Sequence, residues 1–150
     1  MPLLRNATRM TAVHALSAAV LMGTVLAGAP LRPAHAQLPA VQTQNDVQYL
    51  MGGIGSDESE AIKSAMKDYS LALIFARPQE GGAAYLSDVQ VRIENEAGKS
   101  VLDVKPDGPY LLVKLPPGSY KVTANSGGST QSKTLSVQAG KTTQQRFDWK

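Results

Sequence analysis

Carboxylates are the main candidates for chemistry in this chain of 150 residues. Asp57, Glu58 and Glu60 could together bind a hard cation such as calcium, and Asp103 with Asp107 could form an acid–base pair. Simpler explanations account for both groups. Acidic residues stabilise the first turn of a helix, and sequence spacing alone does not bring Asp103 and Asp107 together. We therefore predict no catalytic residue, metal ligand or cofactor, with a carboxylate-based hydrolase as a minor alternative.

A glycine-rich segment, Gly52-Gly53-Ile54-Gly55, precedes the first acidic group and could cradle a phosphate at a helix N-terminus. No Lys-Ser or Lys-Thr pair follows it, and the acidic residues that open the helix would repel an anion. We interpret the segment as a loop that leads into the helix.

Four aromatic residues, Tyr85, Tyr110, Tyr120 and Trp149, could form a surface on which sugar rings stack. Aromatic side chains at alternating strand positions usually belong to the core, and this assigns Tyr120 and Trp149 to it. Tyr85 and Tyr110 lie beside turns. They are the predicted ligand surface.

The first 36 residues have the composition of a cleavable signal peptide. Arg5 and Arg9 supply a positive start, residues 15–29 are apolar or small, and Ala34-His35-Ala36 places small residues before the predicted cleavage between Ala36 and Gln37. An uncleaved anchor is the alternative, but it would require about 20 apolar residues. We predict a periplasmic or secreted protein without a stable membrane anchor after cleavage.

Cleavage would also change the chemistry of the chain, because both histidines, His14 and His35, precede Gln37 and no cysteine exists. The remaining residues include twelve Lys and Arg and twelve Asp and Glu, so their formal charge is zero. This composition excludes Cys and His metal ligands and imidazole-assisted nucleophiles. A neutral chain with dispersed lysines also argues against a nucleic-acid partner.

The segments that must position these residues begin with a polar, Gln-rich stretch. We predict a flexible arm over residues 37–55, in which Val47, Tyr49 and Leu50 could dock as a short segment. A helix is predicted over 56–69, with Ser56 or Asp57 as its cap and Glu60 completing a capping box. Apolar residues recur at helical spacing in this segment and would form one face of the helix. Its members are Ile62, Ala65, Met66 and Tyr69.

Residues 70–150 show alternating apolar positions separated by turn residues, a pattern that predicts about seven strands. The fold class predicted is mainly β, an immunoglobulin-like or prealbumin-like sandwich preceded by one short α-helix. The strands are expected at 70–76, 89–93, 101–104, 110–115, 120–124, 134–137 and 142–149. The expected core comprises Leu73, Phe75, Val89, Val91, Ile93, Leu112 or Val113, Tyr120, Val122, Leu135, Val137, Phe147 and Trp149.

Two stretches within residues 70–150 carry a resemblance: Val89-x-Val91-x-Ile93 followed by Gly98-Lys99, and Leu115-Pro116-Pro117-Gly118-Ser119-Tyr120-Lys121-Val122. They resemble the carboxypeptidase regulatory-like domain, a prealbumin-like sandwich. The Gly52–Tyr69 opening is similar to that of small exported bacterial proteins that carry such a domain. In carboxypeptidases the module is not the catalytic part, and related transthyretin-like hydrolases use histidines. The resemblance therefore implies an accessory or binding module.

The sequence thus predicts a non-enzymatic, exported binding module. Its partner would be a protein or an envelope polysaccharide. The alternative is a carbohydrate-binding module that uses Tyr85 and Tyr110 as exposed aromatic residues.

Overall fold

The computed structural model describes residues 37–150. The predicted signal peptide, including Ala36, lies outside the described residues, and Gln37 is exposed at their start. Within the described part of the chain, no helix is long and apolar enough to cross a membrane. The strands are β1 (Gln42–Gln44), β2 (Val47–Gly52), β3 (Leu71–Gln79), β4 (Gly82–Tyr85), β5 (Gln90–Asn95), β6 (Ser100–Val104), β7 (Tyr110–Lys114), β8 (Gly118–Ser126), β9 (Ser129–Val137) and β10 (Thr143–Asp148); the helix α1 (Ser56–Ala65) continues into a 3₁₀ helix (Met66–Asp68).

The strands form two sheets, which confirms the predicted mainly β sandwich with one short helix. Sheet 1 has the order β1-β2-β7-β3-β10, and β4 also pairs with β3; sheet 2 has the order β6-β5-β8-β9. Every pairing is antiparallel except that of β10 with β3, which is parallel. The described residues contain ten strands, more than the seven expected.

The core between the two sheets contains the side chains that alternation predicted, and every residue of the expected core is buried. Phe75, Phe147 and Trp149 form its aromatic centre, with ring centroids between 6.1 and 6.3 Å apart. The Tyr120 hydroxyl donates a hydrogen bond to the Pro116 carbonyl at 2.8 Å. The tyrosine after the Pro-Pro-Gly turn thus reaches back to the first proline of that turn with its hydroxyl.

A second core lies on the opposite face of sheet 1, beneath α1. The predicted apolar helical face is buried there: Ile62 is fully covered and Ala65, Met66 and Tyr69 nearly so. Its partners on the sheet are Leu50, Ala72, Tyr110 and Leu112. The helix is therefore a third layer of the domain that covers one face of sheet 1.

The arm predicted over 37–55 is corrected by the structure, because residues 42–52 form β1, β2 and the turn between them. A two-residue turn at Asn45 and Asp46, both with positive φ of 49° and 64°, joins them. Such turns match the twist of a hairpin. Since β2 pairs with β7, placing Leu50 opposite Leu112, the sandwich includes strands that precede the predicted boundary at residue 70.

At each flank of the sandwich, the two sheets are linked by hydrogen bonds of side chains instead of by backbone pairing between strands. On one flank the Gln44 side-chain oxygen accepts a hydrogen bond from the Asp103 backbone N–H at 2.7 Å. On the other, the Gln131 amide donates to the Asp148 carbonyl, also at 2.7 Å. Further bonds on that flank join Lys133 to Arg146, Thr143 to Ser136 and Trp149 to Ser129. These contacts occupy edge groups that would otherwise be free to pair with another chain.

Candidate binding surface

The two tyrosines predicted to form a ligand surface differ in their exposure to solvent. Tyr85 is 52% exposed, whereas Tyr110 is 1% exposed, so the prediction of Tyr110 as a surface residue is wrong. Tyr110 begins β7 with its side chain in the core beneath α1. Gly53 lies directly against the Tyr110 ring, where no Cβ would fit. The two tyrosine rings remain in contact, with centroids 5.8 Å apart and planes tilted by 38°.

Tyr85 lies on the outer face of sheet 1 with a small residue and an ion pair as neighbours. Ala76 of β3 is paired with Tyr85 on one side and Asp148 of β10 on the other. Arg146, two residues before Asp148, shares this face, and its Nε lies 2.7 Å from Asp148 Oδ1. Both charged side chains are more than 40% exposed. Ala76 itself is fully buried, and we call the exposed residues Tyr85, Arg146 and Asp148 the Tyr85 surface.

The ionisation of Tyr110 follows from the burial of its side chain. Removal from water, together with the adjacent Tyr85 phenol, raises the pKa of Tyr110 from 10.0 to about 12. The positive charge of Arg146 acts on this pKa in the opposite direction, because it favours the phenolate. Tyr110 therefore stays neutral at all physiological pH values and serves as an apolar support for the exposed ring.

The raised pKa of Tyr110 predicts a loss of stability in alkali. Between about pH 10 and pH 12 the folded state retains a proton that the unfolded state releases, so the contribution of this group is complete below pH 10 and lost as pH rises toward 12. Tyr110→Phe should reduce the decrease in the urea midpoint between about pH 9 and about pH 11. A residual decrease is expected because burial also raises the pKa values of Tyr69 and Tyr120. An unchanged pH dependence in Tyr110→Phe would contradict the assignment.

The glycine-rich loop before α1 is filled by a side chain of the helix itself. Glu58 Oε1 accepts hydrogen bonds from the backbone N–H groups of Gly53 at 2.6 Å and Ile54 at 3.3 Å. The predicted capping box is wrong: Gly55 is the N-cap residue and no side chain caps the helix. Because Glu58 occupies the amides that a phosphate would need, the loop acts as the entry to the helix.

The other acidic candidates are not brought together as a reactive site. Asp103 accepts hydrogen bonds from Arg92 at 2.7 Å and from Gln90 at 2.6 Å. Asp107 is exposed in the turn before β7. Among residues 37–150, no group of three or more His, Cys, Asp or Glu side chains could hold a metal ion.

A polar surface that sequence reasoning missed covers the outer face of sheet 2. Arg92 and Asp103 form its central ion pair, and their hydrogen bond raises the pKa of the Arg92 guanidinium. Thr123 and Ser132 are hydrogen-bonded across neighbouring strands at 3.0 Å. A depression of about 340 Å³ on this face is lined by Gln90, Arg92, Glu94, Asp103, Thr123, Asn125 and Thr130. It has no aromatic residue on which an apolar ligand face could stack.

No protein-family model matches this chain, and a search of curated proteins finds no match. The resemblance of residues 70–150 to carboxypeptidase regulatory-like domains therefore stays a prediction. Function has to be argued from the surfaces themselves.

Proposed function

We propose that this protein is an exported, non-catalytic binding module whose Tyr85 surface holds a sugar chain of the cell envelope. The observation that carries the proposal is the half-exposed Tyr85 ring, which rests on the buried Tyr110 ring beside an exposed ion pair. An aromatic ring held in place loses little freedom when a ligand stacks on it.

The neighbours of Tyr85 supply the polar half of such a site. Arg146 offers N–H donors and Asp148 offers acceptors, and hydrogen bonds to charged groups are stronger than neutral ones. Ala76, which is fully buried, lies between Tyr85 and Asp148 in the sheet, so the exposed ring and the ion pair are two strands apart on one face. A sugar ring stacked on Tyr85 would then turn its hydroxyl groups toward the ion pair. Binding sites generally combine an apolar contact with a few convergent polar groups.

The non-catalytic part of the proposal rests on side-chain chemistry. After residue 36 the sequence contains neither imidazole nor thiol. The best-placed carboxylate in the polar depression of sheet 2, that of Asp103, is engaged with Arg92. The resemblance to carboxypeptidase regulatory-like domains points the same way, since it implies an accessory module. Turnover of a substrate that is lost on replacement of a single carboxylate would refute this part.

Tyr85→Ala is the direct test of the sugar site. We expect glycan-array binding of the chain starting at Gln37 to fall about tenfold or more, because stacking contributes about 0.5–1.5 kcal/mol beyond its buried area. The free energy of unfolding should change by less than about 1 kcal/mol, as for most exposed residues. Binding is measured by the array and by titration calorimetry, and stability by urea denaturation.

Ile54→Ala is the matched control, because Ile54 is another exposed large apolar residue, at 65%. It should leave glycan affinity unchanged. Arg146→Gln should weaken binding by removing charged donors while Tyr85 stays in place. Absence of any bound glycan in the unmutated protein, or equal affinity in Tyr85→Ala, would rule out the sugar site.

A protein partner is the second candidate, favoured by the free edge of β4. In the described residues β4 pairs only with β3, and the hairpin from Arg77 to Gly82 is exposed. An extended peptide could add to this edge through backbone hydrogen bonds. The Ala83 amide points away from β3, because the Pro78–Ala83 pair is of the non-hydrogen-bonded type. Ala83→Pro should then abolish capture of a partner from periplasmic extract and leave glycan binding intact.

A further inference from the structure

Three lysines from separate parts of the chain line one cleft at the end of sheet 1. Lys67 comes from the 3₁₀ helix, Lys114 ends β7, and Lys141 lies in the turn between β9 and β10. The cleft has a volume of about 300 Å³, and Tyr69 and Ser70 lie in its wall. We call it the lysine cleft. It involves none of the residues of the Tyr85 surface.

The charge of the lysine cleft is not neutralised locally. The ion pairs found among residues 37–150 are Arg92–Asp103, Lys105–Asp88 and Arg146–Asp148, and none includes a lysine of the cleft. Asp68 is the one carboxylate in the lining. Three ammonium groups and one carboxylate give a formal charge of +2, although the described residues as a whole carry equal numbers of basic and acidic side chains. Like charges held close together favour an anion between them.

The walls of the cleft are fixed by hydrogen bonds between its elements. Ser70 Oγ accepts from the Leu115 backbone N–H at 2.6 Å and donates to the Val113 carbonyl at 3.1 Å. Thr142 Oγ1 donates to the Tyr69 carbonyl at 2.7 Å, which ties the β9–β10 turn to the 3₁₀ helix. These bonds keep the backbones that carry the three lysines at constant spacing, so binding requires ordering of the lysine side chains but little of the backbone.

One of the lysines is also held by an aromatic ring. Lys114 Nζ lies 5.3 Å from the centroid of the Tyr69 ring, within the range of a cation–π interaction. This contact holds the ammonium group at the cleft without neutralising its charge, so it stays available to a second, anionic partner.

We propose that the lysine cleft is a binding site for a phosphate-class anion, either free phosphate or a phosphate ester. A tetrahedral dianion presents oxygen acceptors in several directions and can accept hydrogen bonds from all three lysines at once. A lysine ammonium group is a point charge with three rotatable donors and suits this arrangement without a fixed planar geometry. The proposal is independent of the sugar site, since it uses a different surface.

Inorganic phosphate is the first probe, titrated at low ionic strength into the isotopically labelled chain that starts at Gln37. We expect saturable NMR shifts confined to the amides of the lining, such as those of Ser70, Leu115 and Lys141. Affinity should fall about tenfold in sum for the triple variant Lys67→Gln, Lys114→Gln, Lys141→Gln, since each exposed ion pair contributes modestly. It should also fall as salt is raised, because exposed charges are screened.

The matched control is the triple variant Lys99→Gln, Lys121→Gln, Lys150→Gln, which changes the net charge equally and touches no lining residue. It should keep the affinity of the unmutated chain within about twofold. Shifts that do not saturate, or equal losses in the two triple variants, would overturn the site. Vesicles with and without phosphatidylglycerol distinguish the source: competition between phosphate and the anionic vesicles identifies a headgroup, and phosphate binding without vesicle binding identifies a free phosphate.

Discussion

Deletion of residues 37–55 is expected to abolish cooperative unfolding of the domain. The deletion removes β2, which lies between β1 and β7 inside sheet 1. Val47, Tyr49 and Leu50 are buried there, at 7%, 6% and 1% exposure. Burial of such side chains contributes about 1.5–3 kcal/mol each. The total of roughly 5–9 kcal/mol is comparable with the whole stability of a typical domain.

The loss of β2 would also leave β7 as an unpaired edge between two exposed core faces, which favours aggregation. Circular dichroism and urea denaturation should show no cooperative transition in the shortened chain. The matched control deletes only residues 37 and 38, both exposed, and should unfold like the parent chain that starts at Gln37. A shortened chain with the parent's urea midpoint would restore the flexible-arm interpretation.

The sandwich could be predicted from sequence because its strands alternate and its turns are rich in Gly and Pro. Val91 and Ile93 of β5 face the core as alternation requires, and Val89, just before the strand, continues the same pattern. The strands β1 and β2 are hard to predict because both are short, three of their nine residues are glutamines, and Leu50 faces a second core that alternation does not reveal. The hairpin signal was present in Asn45-Asp46, a pair that tolerates positive φ.

The second core also had a signal in the sequence. β3 begins with six consecutive apolar residues, from 71 to 76, a run that is typical of a strand covered on both faces. The sandwich covers one face, so another layer had to cover the other, and the apolar stripe of α1 was available for it. Combining these two patterns would have placed the helix on the sheet instead of before it.

The binding surfaces depend on cross-strand register, which local patterns do not determine. Tyr85 and Tyr110 both lie beside turns, so local sequence patterns predict that both are surface residues. Their burial differs because Tyr110 pairs with Gly52 at the end of β2, where Gly53 leaves space for its ring. The lysine cleft joins three positions up to 74 residues apart, and no spacing rule connects them.

Tyr110→Ala is therefore expected to have an effect of a different kind from Tyr85→Ala. Loss of a fully buried aromatic side chain typically lowers the free energy of unfolding by about 3–5 kcal/mol, because it removes apolar contacts and leaves a cavity. The cavity would open beneath α1, between Leu50, Leu112 and Gly53. Urea denaturation of both variants measures the difference directly, and Tyr85→Ala should remain within about 1 kcal/mol of the parent chain.

Tyr110→Phe is the control that keeps the ring and removes only the hydroxyl, so at neutral pH it should retain most of the stability. The glycan affinities of the two Tyr110 variants should then show that Tyr110 acts by supporting the Tyr85 ring. In Tyr110→Phe the Tyr85 ring keeps its partner at about the same centroid distance of 5.8 Å, and binding should persist. In Tyr110→Ala, tested under conditions where the protein is still folded, Tyr85 loses its support and binding should weaken. A stability loss in Tyr110→Ala no larger than that in Tyr85→Ala would place Tyr110 on the surface after all, and would remove the physical basis for a preorganised ring at Tyr85.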